Sequence, residues 1–393
     1  MSIIKVIGDG GQYFGGLLKV VSLSKHVAMN PVVTPEIREV MGAVNYRPAV
    51  SIIMPFETKM GLKVETTHSL KTAADRVEQE LLESYPGEMS SLVMQKLRAI
   101  IKSLNLNTRK KSIAIYVSPV FEKVLYLDTV VQEKIIVDES FEIRDLVYSN
   151  KQLQEYIVLL LSAKESRMYL GNSIKFVRIE SNTPESVYAY VNELPERVAN
   201  FSDVSERKEI MMEKFLHRID HTLDIIFNSY HLPLFVLGTE RIVGHFKNLT
   251  KHAGAVIEYV KGNYEETTLP ELKDILEPYI NEWKEVKQKD LLNQIDVAAG
   301  QKKLAVGMVD VWREAMTGKG RLLVVEKNYM YAAQRGSSKD VIYKAAEPYN
   351  KFSYIKDAVN NVMKKVLENG GDVEFVDKDV LKDYQHIALV EYY

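Results

Sequence analysis

The sequence predicts a mixed α/β fold (α+β) spread over three domains. Three patterns carry that prediction. Toward the C-terminus, glycine-terminated helical segments feed short apolar strands, the mark of a layered α/β module. Between Ala49 and Val117 the order is strand, helix, helix, strand. Between Tyr156 and Gly238 come a hairpin pattern, a long amphipathic helix and a buried strand. A chain of 393 residues is too long for one ordinary core. The expected division is an N-terminal extension over 1–30, an N-terminal α/β domain over 31–152, a middle domain over 153–290 and a C-terminal α/β domain over 291–393.

The elements follow in order. The apolar run 49–54 ends at Pro55, as a buried strand does. Residues 67–82 put Leu70, Ala73, Ala74, Val77 and Leu81 on one helical stripe. Residues 90–104 repeat it with Leu92, Val93, Leu97, Ile100, Ile101 and Leu104. A strand over 112–117 stops at Ser118-Pro119. The strand 156–161 is followed by a partner over 166–170, which turns at Gly171-Asn172 into 174–177. Residues 203–229 read as one long helix, and 234–238 as a buried strand after Pro233. A helix begins at Leu269-Pro270 and runs to Lys287, with proline in an accepted first-turn position. The charged stretch 284–290 leads into the last module. There a helix over 304–316 passes through Thr317-Gly318-Lys319-Gly320 into a strand over 321–325. A second helix, 357–367, stops at Asn369-Gly370-Gly371, and strands follow over 372–376 and 387–390.

Composition narrows the function. The formal net charge is -2, so a nucleic-acid partner needs a local basic patch. There is no cysteine, which excludes disulfides, thiolate zinc sites and cysteine nucleophiles. That usage suits a reducing cytoplasm. No apolar run approaches the roughly 18 residues that span a bilayer, so no membrane partner is expected. Residues 1–20 make a poor signal peptide, because Asp9 and five glycines break the apolar centre.

Gly10-Gly11-Gln12 is the most suggestive tripeptide. A glutamine amide on a glycine loop can position a water or a carbonyl. The same residues also read as a flexible tail with a chance match. The stretch is no dinucleotide loop, since Tyr13 stands where the third glycine belongs, and no P-loop lysine follows. No cofactor is therefore expected. His217 and His221 share a helix face and, with Asp220 or Asp224, could begin a metal site. The order His-Arg-Ile-Asp-His lacks a metalloprotease base, and a polar helix face explains it as well, so no metal is expected. The densest basic patch is Arg109, Lys110 and Lys111, with Lys96, Arg98 and Lys102 on the preceding helix. A second is Lys319 and Arg321, with Lys302 and Lys303 upstream. Either could hold phosphates or be a solvated face. Tyr329 and Tyr331 could stack bases or form a half-buried surface.

From about Pro48 to Tyr393 the chain resembles the bacterial relatives of archaeo-eukaryotic release factors, kin of class 1 release factor and pelota. The resemblance lies in the order of several pieces. They are Val50-Ser51-Ile52-Ile53-Met54-Pro55, Lys111-Ser112-Ile113-Ala114-Ile115-Tyr116-Val117-Ser118, Phe141-Glu142-Ile143-Arg144-Asp145-Leu146 and Ile157-Val158-Leu159-Leu160-Leu161-Ser162. Ser166-Arg167-Met168-Tyr169, Pro233-Leu234-Phe235-Val236-Leu237-Gly238, Gly320-Arg321-Leu322 and Gly370-Gly371-Asp372-Val373 complete it. The resemblance implies a three-domain release factor-like architecture ending in an RNA-binding-type module, with the ribosome, tRNA or rRNA as partner. In that family a Gly-Gly-Gln loop inside the middle domain hydrolyses peptidyl-tRNA. The corresponding stretch here, 194–208, has none, and the tripeptide stands far upstream. The expected function is thus a non-catalytic ribosome- or RNA-associated protein. The alternatives are a peptidyl-tRNA hydrolase using Gln12 and a protein-interaction scaffold.

Overall fold

The structure, a computed structural model, describes residues 5–7, 34–43, 47–56, 63–108, 110–152, 155–162, 164–172, 175–180, 186–188, 204–229, 232–347 and 353–393. The first elements are β1 (Lys5–Ile7), α1 (Pro35–Gly42), β2 (Ala49–Pro55), α2 (Lys63–Ser84), α3 (Gly87–Ser103), β3 (Ser112–Val117), β4 (Glu122–Leu127), β5 (Lys134–Asp138) and α4 (Arg144–Gln152). Next come β6 (Tyr156–Leu161), β7 (Ser166–Gly171), β8 (Phe176–Glu180), α5 (Val204–Ser229), β9 (Leu234–Gly238), α6 (Glu240–Leu249), β10 (Val256–Lys261) and α7 (Leu269–Gly300). Last are β11 (Leu304–Val306), α8 (Gly307–Met316), β12 (Gly320–Glu326), β13 (Ala333–Arg335), β14 (Ile342–Lys344), β15 (Tyr354–Ile355), α9 (Ala358–Glu368), β16 (Asp372–Val376) and β17 (Ile387–Glu391). The expected mixed α/β class is borne out, with several sheets and helices on their faces. The chain forms two compact units, one of Met1–Ser24 with Leu153–Lys287, the other of Lys25–Gln152 with Gln288–Tyr393.

The first unit is built on a six-stranded sheet ordered β1-β8-β7-β6-β9-β10. β9 runs parallel to both β6 and β10, while the other pairings are antiparallel. β6 and β9 are apolar at every position because both faces of the sheet are covered. Phe215, Leu216, Ile219 and Leu223 of α5 pack on one face with Ile242, Val243 and Phe246 of α6. Leu272 and Leu276 of α7 pack on the other, beside Tyr156 and Phe235. β1 pairs with β8 from Lys5↔Glu180 to Ile7↔Arg178, so the expected N-terminal extension supplies an edge strand.

The second unit joins three sheets around a shared core, the smallest ordered β14-β13-β15 and contributing Ala333, Ile342 and Ile355. An antiparallel sheet ordered β4-β3-β2-β5 carries α2 and α3 on one face, through Leu70, Val77, Leu81, Val93 and Leu97. Each such burial contributes about 1.5–3 kcal/mol. Its other face contributes Ile53, Ala114 and Tyr116 to a core completed by Trp312 of α8, Val362 and Met363 of α9, and Leu323 and Leu389. The second sheet is ordered β11-β17-β12-β16, with β12 parallel to β16. The far side of that sheet rests on Ile295 and Ala298 of α7.

Several sequence expectations change. The helix expected over 304–316 starts only at Gly307, whose φ of 75° breaks the pattern. Leu304–Val306 instead pairs with β17. Leu92, expected on the buried stripe of α3, is 42% exposed. Ser90 is buried in its stead, because its hydroxyl donates to the carbonyls of Leu81 and Pro86 at 3.2 and 3.1 Å. The helix expected to end at Lys287 continues to Gly300. The charged stretch 284–290 is rich in good helix formers and stays helical, and Pro278 is carried inside the helix. β4, β5, α6 and β10 had no clear sequence pattern. β4 and β10 are largely half-exposed or exposed strands.

Candidate nucleic-acid interface

The sequence placed its nucleic-acid expectation on two groups of cations, and several of those cations are engaged within the chain. Arg109 lies outside the described residues. Lys110 Nζ meets Asp128 at 2.6 Å. On α3, Arg98 meets Glu78 at 2.6 Å and Lys96 donates to the Pro119 carbonyl at 2.9 Å. Lys111 and Lys102 are exposed, with no ion pair to a described residue. At the second patch Lys319 Nζ holds Glu314 at 2.7 Å, and Arg313 Nε holds the same carboxylate at 2.9 Å. Hydrogen bonds from Lys319 and then Arg313 keep the Glu314 carboxyl below its ordinary value. Arg321 is exposed on β12 and pairs with no described residue. An exposed pair contributes little to stability, but it cancels a charge that a phosphate would otherwise meet. Lys111, Lys102, Lys302 and Arg321 are the exposed cations of the two named groups that pair with no described residue.

Arg321 lines a groove of about 450 Å³. One wall is the last part of α7, where Asp290, Asn293, Gln294 and Val297 recur at helical spacing, continued by Gln301 just past its end. The other wall is Arg321, Val390, Glu391 and Tyr392, with Lys303 at the end. Gln294 Nε2 donates to Asp290 at 2.8 Å, and Lys303 Nζ lies 3.5 Å from the Tyr392 carbonyl. Burial, and then the nearby Glu314 charge, raise the Glu391 carboxyl. The sequence reading missed the α7 wall. The three- and four-residue spacing of Asp290, Asn293, Gln294, Val297 and Gln301 was its only signal.

The histidine pair singled out in the sequence gathers no ligand set of its own among the described residues. His217 and His221 of α5 are exposed, 4.0 Å from Glu213 and 3.6 Å from Asp224. Asp224 also meets His252 at 2.9 Å. Asp220 is buried and accepts from the Thr250 hydroxyl at 2.6 Å, so it is a structural anchor. Among the described residues, Glu326, Asp379 and His386 bring their ligand atoms within 4.8 Å of one another, a grouping spread too far along the chain to be read as a motif. Its oxygen and imidazole donors suit a divalent cation. Glu326 is already satisfied, accepting from the Leu381 amide at 3.0 Å and facing His386 Nδ1 at 2.9 Å. Tyr329 and Tyr331 are half-buried against the shared core, 6.5 Å apart between ring centres. Burial first, then Tyr331 and nearby carboxylates, push the Tyr329 hydroxyl up to about 12.

The most concentrated electrostatics are internal to the second unit. Arg144 is buried between two carboxylates. Its Nη2 donates to Asp357, its Nη1 donates to the Tyr329 carbonyl at 2.6 Å, and its Nε lies 3.8 Å from Glu142. Asp357 caps α9, accepting from the Val359 amide at 3.1 Å and from Tyr331 at 3.2 Å. Asn360 accepts from the Ile143 amide at 2.9 Å and donates to the Phe141 carbonyl at 3.0 Å. Two carboxylates facing one guanidinium in a dry site cannot both stay charged cheaply. Burial, and then Asp357, push the Glu142 carboxyl up to about 7. These groups hold the residues before α4 against α9.

Gly10-Gly11-Gln12 lies outside the described residues, as do 194–203 of the stretch compared with a release-factor loop. Among the described residues no helix is long and apolar enough to cross a membrane.

Residues 155–319 match the pattern of bacterial archaeo-eukaryotic release factor family 3. The release-factor-like resemblance read from the sequence is borne out over that span. A comparison with curated proteins found no match. Among solved structures, the chain is similar to archaeal Pelota, in a structure of ribosome-bound Pelota with ABCE1. The identity is 13% and the TM-score 0.42, over 72% of this chain and 77% of that one. It is also similar to Dom34 of S. cerevisiae, a translation termination-like factor, at 12% identity and a TM-score of 0.39 over 72% and 74%. The archaeal translation termination factor aRF1 aligns at 11% identity and a TM-score of 0.21 over 91% and 96%.

Proposed function

We propose that the protein is a release-factor-like, three-domain partner of the ribosome or its tRNA and rRNA, and that it works by binding rather than by catalysis. The match of residues 155–319 to a family of release-factor relatives carries this reading. The exposed, uncommitted cations Lys111 and Arg321 give it a physical means. The test is sedimentation of the purified protein with ribosomes at low and moderate salt. Co-sedimentation that weakens as salt rises is expected. Replacing Arg109, Lys110 and Lys111 together with alanine should reduce the slope of log affinity against log salt by roughly one to two. Absence of the protein from the ribosomal pellet at every salt, with recovery of a stable protein partner instead, would replace this reading with a scaffold.

One observation favours a second reading, hydrolysis of peptidyl-tRNA through Gln12. β1 joins the sheet of the first unit, and Gln12 follows Ile7 closely in the chain. A release assay with Gln12→Ala decides between them. Binding without catalysis predicts no release by either protein, whereas loss of a measurable wild-type rate in the variant would establish the hydrolase.

A further inference from the structure

We infer that the groove between α7, β12 and β17 seats one unpaired nucleotide of an RNA, with Arg321 and Lys303 on its phosphate and Tyr392 and the α7 amides on its base. The inference rests on the nucleic-acid reading above and gives it a location. A groove of about 450 Å³ falls in the range of small-ligand sites. Its groups are divided as a nucleotide requires. Ala298 and Val390 make an apolar floor, with Val297 exposed beside it. Tyr392 is 42% exposed at the rim, so its ring is available for stacking. Asn293, Gln294 and Gln301 offer paired donors and acceptors that fit base edges. Asp290 and Glu391 accept from exocyclic amino groups, which a base carries and a phosphate does not.

Arg321 supplies the anion contact. Its neighbours Lys319 and Arg313 are committed to Glu314, whereas Arg321 pairs with no described residue. A planar guanidinium matches a phosphate through two parallel hydrogen bonds. The lining also argues against a protein ligand. Protein interfaces take most of their energy from apolar and aromatic anchors buried in pockets. Here the apolar floor is shallow and amides and charges dominate.

The probe is a short, fluorescently labelled single-stranded RNA, followed by anisotropy on the full chain. Arg321→Ala should weaken binding about tenfold and lower the magnitude of the salt slope by roughly 0.7. Tyr392→Ala should weaken it about tenfold and leave the slope unchanged. Gln301 is exposed just past the end of α7, so its variants should fold. Gln301→Lys should strengthen binding and Gln301→Glu should weaken it. An RNA carrying 4-thiouridine should crosslink within 290–303 or 387–393. Unchanged affinity in all four variants, or crosslinks confined to other segments, overturns the inference. So does capture of a protein whose binding is lost with Arg321→Ala while the RNA still binds. Ribosome pelleting is read separately. Variants that lose the RNA while wild type fails to pellet with ribosomes support the groove and remove only the ribosome reading.

Discussion

Arg144→Ala is expected to be among the most destabilising single changes in the second unit, at about 3–5 kcal/mol. The size follows from what remains. Asp357 loses the guanidinium that Nη2 shares with it, and the Tyr329 carbonyl loses a donor at 2.6 Å. Glu142 and Asp357 then face each other in a dry site with Lys134 as the cation still acting on them. Leaving a buried charge unpaired is far more costly than the pair itself is favourable. Trp312 is buried in that unit and Trp283 is not part of it. Urea unfolding followed by Trp312 fluorescence in a Trp283→Phe background therefore reports the right transition. Adding Glu142→Gln should restore part of the loss, because one of the two orphaned charges is removed. Arg98→Ala breaks an exposed pair with Glu78 and should change stability by no more than about 0.5 kcal/mol. Similar losses for Arg98 and Arg144 would refute the distinction.

Glu142→Gln alone should stabilise the second unit above neutral pH. The Glu142 carboxyl is raised from 4.5 to about 7 by burial and by Asp357. The folded chain therefore holds a proton there that the unfolded chain releases. Below about pH 4.5 both forms are protonated and the group has no effect. As pH rises toward about 7, folding must keep a proton or bury a charge, and stability falls. Above that range the loss is complete, on the order of 3 kcal/mol. Glutamine carries no such proton and still accepts from the Arg144 amide, as Glu142 Oε1 does at 3.3 Å. The difference between variant and wild type in urea midpoints should be near zero at pH 4.5 and reach a plateau past pH 7. A flat difference across that range would show that Glu142 is charged throughout.

Much of this fold was legible because its strands are buried on both faces. β6, β9 and β3 read as unbroken apolar runs, and the stripe Leu70, Ala73, Ala74, Val77 and Leu81 faces the core as its period requires. The start of α8 was not legible, since the tertiary pairing of Leu304–Val306 with β17 overrides a helical pattern. The end of α7 was misread because charge alone does not stop a helix. The site was partly legible. Arg321 and Lys111 were found by clustering, but pairing by Asp128, Glu78 and Glu314 is invisible in a sequence. The groove needed α7 and β17 to meet across some ninety residues of chain, and no local pattern encodes that.

The shared core of the second unit has a consequence for the nascent chain. Ile53, Ala114 and Tyr116 are covered by Trp312, Val362 and Leu389, which are encoded after the whole of 153–287. At about 5–20 residues per second, a ribosome takes on the order of ten seconds to translate that interval. During that time one face of the first sheet has no native cover, while the 153–287 segment is already free to collapse on its own sheet. The order of synthesis thus runs opposite to the order of completion, and the earliest residues of the second unit are among the last to be sheltered. A holdase that binds apolar strands would find its longest opportunity on β2 and β3.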